Sequence, residues 1–214
     1  MTHTRHAFDE QLEDLNRRLL LFGSFVEAML DKAMRALITQ DATLAREVVA
    51  SDDVADDMDL EIEQMCVRLL ALQQPMAGDL RFIASVMKVI ADIERIGDYS
   101  KDIAKAAISL ANDEYFKPLV DIPLMGDRVR HMLRLALQAL VTHNLDIVEE
   151  VLSLDSGVDV LWKQVRKDVE KIIQERPEVV HQAISLIMVA RYLERIGDHI
   201  ENIGERVRYT ETGK

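Results

Sequence analysis

Four pairs of acidic residues stand four positions apart in this chain: Asp52/Asp56, Glu94/Asp98, Asp155/Asp159 and Glu194/Asp198. If the segments that carry them are helical, each pair lies on one helix face with Cβ atoms roughly 5–6 Å apart. Like charges at that spacing destabilise a helix by about 0.2–0.5 kcal/mol when nothing compensates. Brought face to face, two such pairs converge four carboxylates on one spot. An all-oxygen set of that kind suits hard cations such as Mg²⁺, Mn²⁺ or Fe and can bridge more than one ion. Arginines offer a competing answer. Arg95 and Arg195 stand three residues before Asp98 and Asp198, and Arg191 three before Glu194, so salt bridges within each helix could satisfy the acids without a metal. The metal reading carries its own forecast: with no cation bound, removing Asp98 or Asp198 should be neutral or slightly stabilising.

Other chemistries find no support. None of His3, His6, His131, His143, His181 and His199 completes a His-x-x-x-His or Glu-x-x-His ligand set with these acids. There is no glycine-rich phosphate loop, and no serine or cysteine stands out as a nucleophile. The chain is expected not to be an enzyme. Cys66, between Met65 and Val67, reads as a buried, inert thiol. His199 has Tyr99 at the matching position and reads as a surface histidine. Asp102 and Asn202 extend the two Glu-x-x-x-Asp motifs by one turn and are weaker candidates, because they differ. Gly97 and Gly197 are costly in a helix interior, by about 0.8–1.0 kcal/mol against alanine. A close helix contact or space beside the acids would account for them.

The elements that position these residues emerge when the sequence is compared with itself. Met29, Leu30, Ala33, Ala36 and Leu37 match Met132, Leu133, Ala136, Ala139 and Leu140, and Asp52/Asp56 match Asp155/Asp159, all at an offset of 103 residues. Pro75 matches Pro177, and Glu94-Arg95-Ile96-Gly97-Asp98 matches Glu194-Arg195-Ile196-Gly197-Asp198 at an offset of 100. Apolar residues three and four apart from Leu15 to Leu37 mark one face of a helix, whereas alternating strand patterns are nearly absent. Each half reads as a long helix, a second helical segment with Asp-x-x-x-Asp, then a proline and a third helix with Glu-Arg-Ile-Gly-Asp. Pro75 and Pro177 suit the first turns of those third helices, and Ser51-Asp52 suits a helix start. The expected fold is all-α: two three-helix bundles in tandem, spanning 1–112 and 127–214 and joined by a linker at 113–126 that holds Pro118 and Pro123.

Composition narrows the partners. The formal charge is −12, from 38 acidic against 26 basic residues, which disfavours nucleic acid and anionic membrane surfaces and favours basic protein surfaces or cations. A content of 49% hydrophobic and 30% charged residues is that of a globular chain with a sizeable core. The first ten residues are polar and hold no signal-peptide core, and no apolar run is long enough to cross a bilayer. The cytoplasm is the expected compartment.

The paired Glu-Arg-Ile-Gly-Asp motifs, the first followed by Ile103-Ala104, and the segment Gln73-Gln74-Pro75-Met76-Ala77-Gly78-Asp79-Leu80-Arg81 resemble the PhoU family, from Arg5 and Phe8 to the region of Tyr209. The resemblance implies two pseudo-symmetric three-helix bundles. It implies metal on the Glu/Asp-x-x-x-Asp motifs (iron or zinc clusters in some members, manganese, magnesium or other divalent ions in others), here at Asp52, Asp56, Glu94, Asp98, Asp155, Asp159, Glu194 and Asp198. It further implies a homodimer that negatively regulates phosphate uptake and the starvation response. Such a protein links the ATPase subunit of a phosphate ABC importer to a sensor histidine kinase, peripheral to the membrane through these partners. The alternative is a metal-free helical scaffold, or an accessory protein of another phosphate transporter. The second half lacks the Asp-Leu-Arg segment, so the two metal faces need not be equivalent.

Overall fold

The structure, a computed structural model, describes residues 2–72 and 75–213. Gln73 and Gln74, which open the Gln-Gln-Pro motif, lie outside the described residues. The first half contains α1 (Thr2–Thr39), α2 (Ala42–Ala50), α3 (Asp52–Leu72) and α4 (Ala77–Leu110). The second contains α5 (Asp121–Thr142), α6 (Leu145–Glu175), a short 3₁₀ turn (Pro177–Val179) and α7 (Val180–Thr212). Among the described residues there is no strand, and no helix is long and apolar enough to cross a membrane.

The duplication is visible in the local chemistry of each turn. Gln40 and His143 occupy matching places after the first long helix, and both adopt the left-handed conformation, at φ 55° and 53°. The next residue caps the following helix in each copy. Asp41 accepts hydrogen bonds from the backbone N–H groups of Thr43 (2.9 Å) and Leu44 (3.0 Å). Asn144 accepts one from the N–H of Asp146 at 2.9 Å. Such caps satisfy donors that the first helical turn leaves free. The copies then diverge. Ser51 ends α2 and a new helix starts at Asp52, whereas α6 runs unbroken through the corresponding Leu154 and Asp155.

Three proline placements differ from the sequence expectation. Pro75 precedes the N-cap of α4, Met76, instead of entering its first turn. Pro177 opens the 3₁₀ turn ahead of α7. Pro123 lies inside the first turn of α5, which begins at Asp121, within the expected 113–126 linker. A missing N–H is harmless there, because first-turn donors have no helical acceptor. The connection from α4 to α5 thus spans 111–120. It is fastened to both halves: the Tyr115 hydroxyl donates to the Leu37 carbonyl (2.6 Å), and Gln182 of α7 accepts from the Phe116 N–H (2.8 Å).

Each bundle packs its third helix against its first two, α4 on α1 and α3, and α7 on α5 and α6. The two bundles then meet through α4 against α7, the most extensive helix contact in the molecule, and through α1 against α5. Both seams obey the pseudo-two-fold relation of the repeats. On one, Tyr99 stacks on Tyr192 with ring centroids 5.7 Å apart. The symmetric counterpart is His199 Nδ1 at 2.8 Å from Asp92 Oδ1. On the other, Gly23 receives Leu137, and its counterpart Gly126 receives Met34. A Cβ at either glycine would overlap the opposing side chain, so these two glycines set the close approach of α1 and α5. Flanking charges complete the seam: Arg130 pairs with Asp31, and Arg134 Nε lies 3.4 Å from Glu27 Oε1. Acids come from α1 and arginines from α5, so pairing α1 with another α1 would oppose like charges. One continuous main core results, running from Phe22 and Leu30 through Ile93 and Ile96 to Leu193 and Ile196, all fully buried, with Ala139, Val148 and Val207 forming a small separate cluster.

Candidate metal centre

Each bundle packs its second helical segment against its third, and this sets the acid pairs on facing helices. In the first bundle α3 presents Asp52 and Asp56 to Glu94 and Asp98 of α4. In the second α6 presents Asp155 and Asp159 to Glu194 and Asp198 of α7. Mutual electrostatics shows the proximity. Burial, then the charges of Asp52 and Asp98, pushes the Asp56 carboxyl up. Burial, then Asp98, raises Glu94, with Asp59 adding to the effect. In the second bundle burial, then Glu201, Asp159, Asp198 and Glu194, pushes the Asp155 carboxyl up to about 6. Glu194 is raised by burial and Asp198, against the opposing pull of Arg191.

Three further residues belong to these faces. Asp59 lies one turn beyond Asp56, and its Oδ1 is buried without a hydrogen-bond partner. Glu201 lies one turn beyond Asp198 and is raised by burial, Glu205 and Asp198. Lys101 occupies the corresponding place in the first bundle. Its Nζ lies 2.6 Å from Asp52 Oδ2 and 2.9 Å from Asp98 Oδ1, joining α3 to α4. The signal for all three was i+3 spacing from an acid already singled out.

The arginines do form the salt bridges that spacing allowed. Arg95 pairs with Glu94 (3.3 Å) and Asp98 (3.2 Å), Arg195 with Asp198 (3.3 Å), and Arg191 with Glu194. These pairs lie within single helices, as does Lys163 with Asp159 at 3.6 Å. The Arg191 pair engages Oε1 of Glu194 and leaves Oε2 buried with no partner. Several other candidates belong elsewhere. His199, expected at the surface, is instead part-buried in the α4–α7 seam against Asp92. Asn202 donates to the same Asp92 carboxylate at 3.1 Å, and Asp102 pairs with Lys105 at 2.9 Å, so neither joins an acid face. Cys66 is buried and its thiol is pushed up to about 12, which keeps it protonated and inert. Asp79 sits in the first turn of α4, where an acid favours the helix dipole.

Among the described residues no three His, Cys, Asp or Glu side chains are already arranged as a metal cage. The second face nevertheless has the chemistry of a cation site. Its donors are oxygens, its Glu194 Oε2 is orphaned, and no base pairs with an acid across from α6 to α7 within it, Arg191 reaching α6 only at the Trp162 ring. Gly197 leaves room for its central acid: a Cβ there would lie 2.9 Å from Asp155 Oδ1. By contrast a Cβ at Gly97 would meet only Val26, at an ordinary 3.6 Å. The first face fits a metal less well, because Lys101 already supplies a cation between its two helices.

The raised Asp155 carboxyl makes stability depend on pH. Folding favours its protonated form, so its contribution is full below the ordinary value of 3.8 and is lost as pH rises through about 6. In chelator the protein is expected to melt higher at pH 5 than at pH 7. Asp155→Asn should raise stability at pH 7 by on the order of 1 kcal/mol, after allowance for solvent screening of a half-buried group. Thermal melts at the two pH values check this, and an Asp155→Asn protein less stable than the parent at pH 7 would contradict it.

Comparison with known proteins agrees with the duplicated fold. The family model for the PhoU domain matches twice, over residues 19–107 and 122–207. A Phosphate-specific transport system accessory protein PhoU homolog of Clostridium acetobutylicum is 40% identical over 212 residues, covering 99% of this chain and 97% of that protein. The homolog of the same name from Pseudomonas aeruginosa is 36% identical, covering 99% and 88%. The crystal structure of PhoU from Pseudomonas aeruginosa superposes with a TM-score of 0.94 at 36% identity, over 97% of this chain and 100% of that one. The phosphate transport system regulatory protein PhoU from Streptococcus pneumoniae gives 0.90 at 30% identity, over 97% and 98%. With two PhoU domains and relatives this close along its whole length, the chain belongs to the PhoU family.

Proposed function

We propose that this chain is a cytoplasmic negative regulator of phosphate uptake and of the phosphate-starvation response. It acts as an adaptor between the ATPase subunit of a phosphate importer and a sensor histidine kinase. The observation that carries the reading is the double PhoU-domain match, together with relatives named as accessory and regulatory proteins of phosphate transport. The chain is not an enzyme, so its effect comes from contact. Its charge of −12 favours basic partner surfaces. The homodimer rests on the resemblance alone.

A divalent cation belongs to the same proposal. Asp155, Asp159, Glu194 and Asp198 would hold it, with Glu201 beside them. When bound, such an ion supplies positive charge and can accept an oxygen ligand from a partner. The chain's own residues do the rest: α6 and α7 fix the acids on facing helices, and Arg191 and Arg195 hold Glu194 and Asp198 from the rim. Direct binding of the purified chain to the ATPase subunit of its host's phosphate importer tests the adaptor role, measured by biolayer interferometry with Mn²⁺ or EDTA. Saturable binding is the expected result. No binding in either condition would favour the scaffold, or service to another phosphate transporter.

A further inference from the structure

We infer that the two acid faces of this chain are not equivalent: Lys101 fills the first with its own ammonium group, and a resident cation is confined to the second. The inference rests on the metal reading proposed above and concerns which face takes the ion.

The geometry assigns Lys101 its role. Its Nζ sits between carboxylates of two different helices, 2.6 Å from Asp52 of α3 and 2.9 Å from Asp98 of α4. That is the position from which a bound ion would tie the same two helices together. The ammonium is also well shielded, with the Lys101 side chain 20% exposed and that of Asp52 15%. Shielding strengthens a charge-assisted contact and makes displacement of its cation costly. A divalent ion would have to expel Lys101 from both carboxylates and leave the ammonium without those partners.

In the second bundle the corresponding residue is Glu201, so the same position carries a negative charge. Every base on that face pairs along its own helix: Lys163 with Asp159 on α6, and Arg191 with Glu194 and Arg195 with Asp198 on α7. None pairs with an acid across from α6 to α7; Arg191 reaches α6 only over the Trp162 ring, 5.8 Å from its centroid. The acids of the two helices therefore oppose one another across the gap with no cation between them, and Glu194 Oε2 is buried with no hydrogen-bond partner. The exchange of Lys101 for Glu201 thus separates a face that holds its own ammonium between its two helices from one that holds none, although the faces also differ at Asp59/Trp162, Leu60/Lys163 and Ala91/Arg191.

The test exchanges that residue. Mn²⁺ is titrated into metal-free protein and free ion is followed by electron paramagnetic resonance, with far-UV circular dichroism to check folding. The parent chain should bind one ion. Lys101→Glu, which gives the first face the acid that the second carries at that position, should bind two. Lys101→Met should also gain a site and serves if the glutamate variant folds poorly. Glu201→Lys, which closes the second face, should bind none. In chelator Lys101→Met should melt below the parent, and Mn²⁺ should restore more of that loss than it adds to the parent. A parent that binds two ions, unchanged by substitution of Lys101, would overturn the inference and leave the metal reading standing. A parent that binds one ion, with no gain in either Lys101 variant, would also overturn it. No binding by any variant would remove both.

Discussion

Replacing Ile96 by alanine is expected to destabilise the whole chain by about 2–5 kcal/mol, in a single transition that takes both repeats with it. Ile96 lies four residues after Asp92 and three before Tyr99, so it shares their face of α4. Asp92 meets His199 and Tyr99 meets Tyr192, which places Ile96 in the middle of the α4–α7 seam. Its counterpart Ile196 lies between Tyr192 and His199 on α7. Both isoleucines are fully buried. Loss of the side chain removes apolar surface from the core and leaves a cavity that two long, rigid helices cannot easily close. The α4–α7 contact is the most extensive in the molecule, and a single core crosses it. Neither bundle can therefore loosen at this seam without exposing the other. Urea unfolding followed by far-UV circular dichroism measures the effect. A loss below about 1 kcal/mol, or two transitions of which only one moves, would contradict the shared core.

The same seam shows which parts of the molecule can be read from a sequence. Comparing the two halves finds positions that are alike, and so it locates the helices, their order and the four acid pairs. Those features depend on residue type and on 3.6-residue spacing, both local. The relation between bundles depends instead on positions where the copies differ. Tyr99 corresponds to His199 and Asp92 to Tyr192, so one side of the pseudo-two-fold axis is a ring stack and the other a hydrogen bond. Self-comparison registers those positions only as mismatches. His199 looked like a surface residue for that reason.

The candidate site divides along the same line. Acids that match in register were legible as a convergent set. Lys101 and Glu201 were not, although they differ in charge and stand one turn beyond Asp98 and Asp198. Lys101 also changes the forecast for removal of Asp98. On spacing alone, Asp98→Ala and Asp198→Ala should act alike in the absence of metal. In the structure Asp98 is a partner of both Lys101 and Arg95, whereas the lysine is lacking beside Asp198. Relief of like-charge repulsion therefore dominates only in the second face. The glycine pair Gly23 and Gly126 escaped for another reason: a glycine in a helix shows its purpose only once the opposing side chain is known, here Leu137 or Met34.

Starvation-induced genes are expected to stay on in phosphate-rich medium when the gene for this protein is deleted, and this tests the regulatory role most directly. On the proposed adaptor role, regulation by contact requires the chain's presence, and its absence should uncouple the kinase from the importer. The measurement is the activity of a starvation-induced phosphatase reporter in high phosphate, in the parent strain, the deletion strain and a complemented strain. The account predicts a silent reporter in the parent, strong expression in the deletion strain and silence again on complementation. A reporter that stays silent in the deletion strain, in a host with no second copy of the gene, would contradict it.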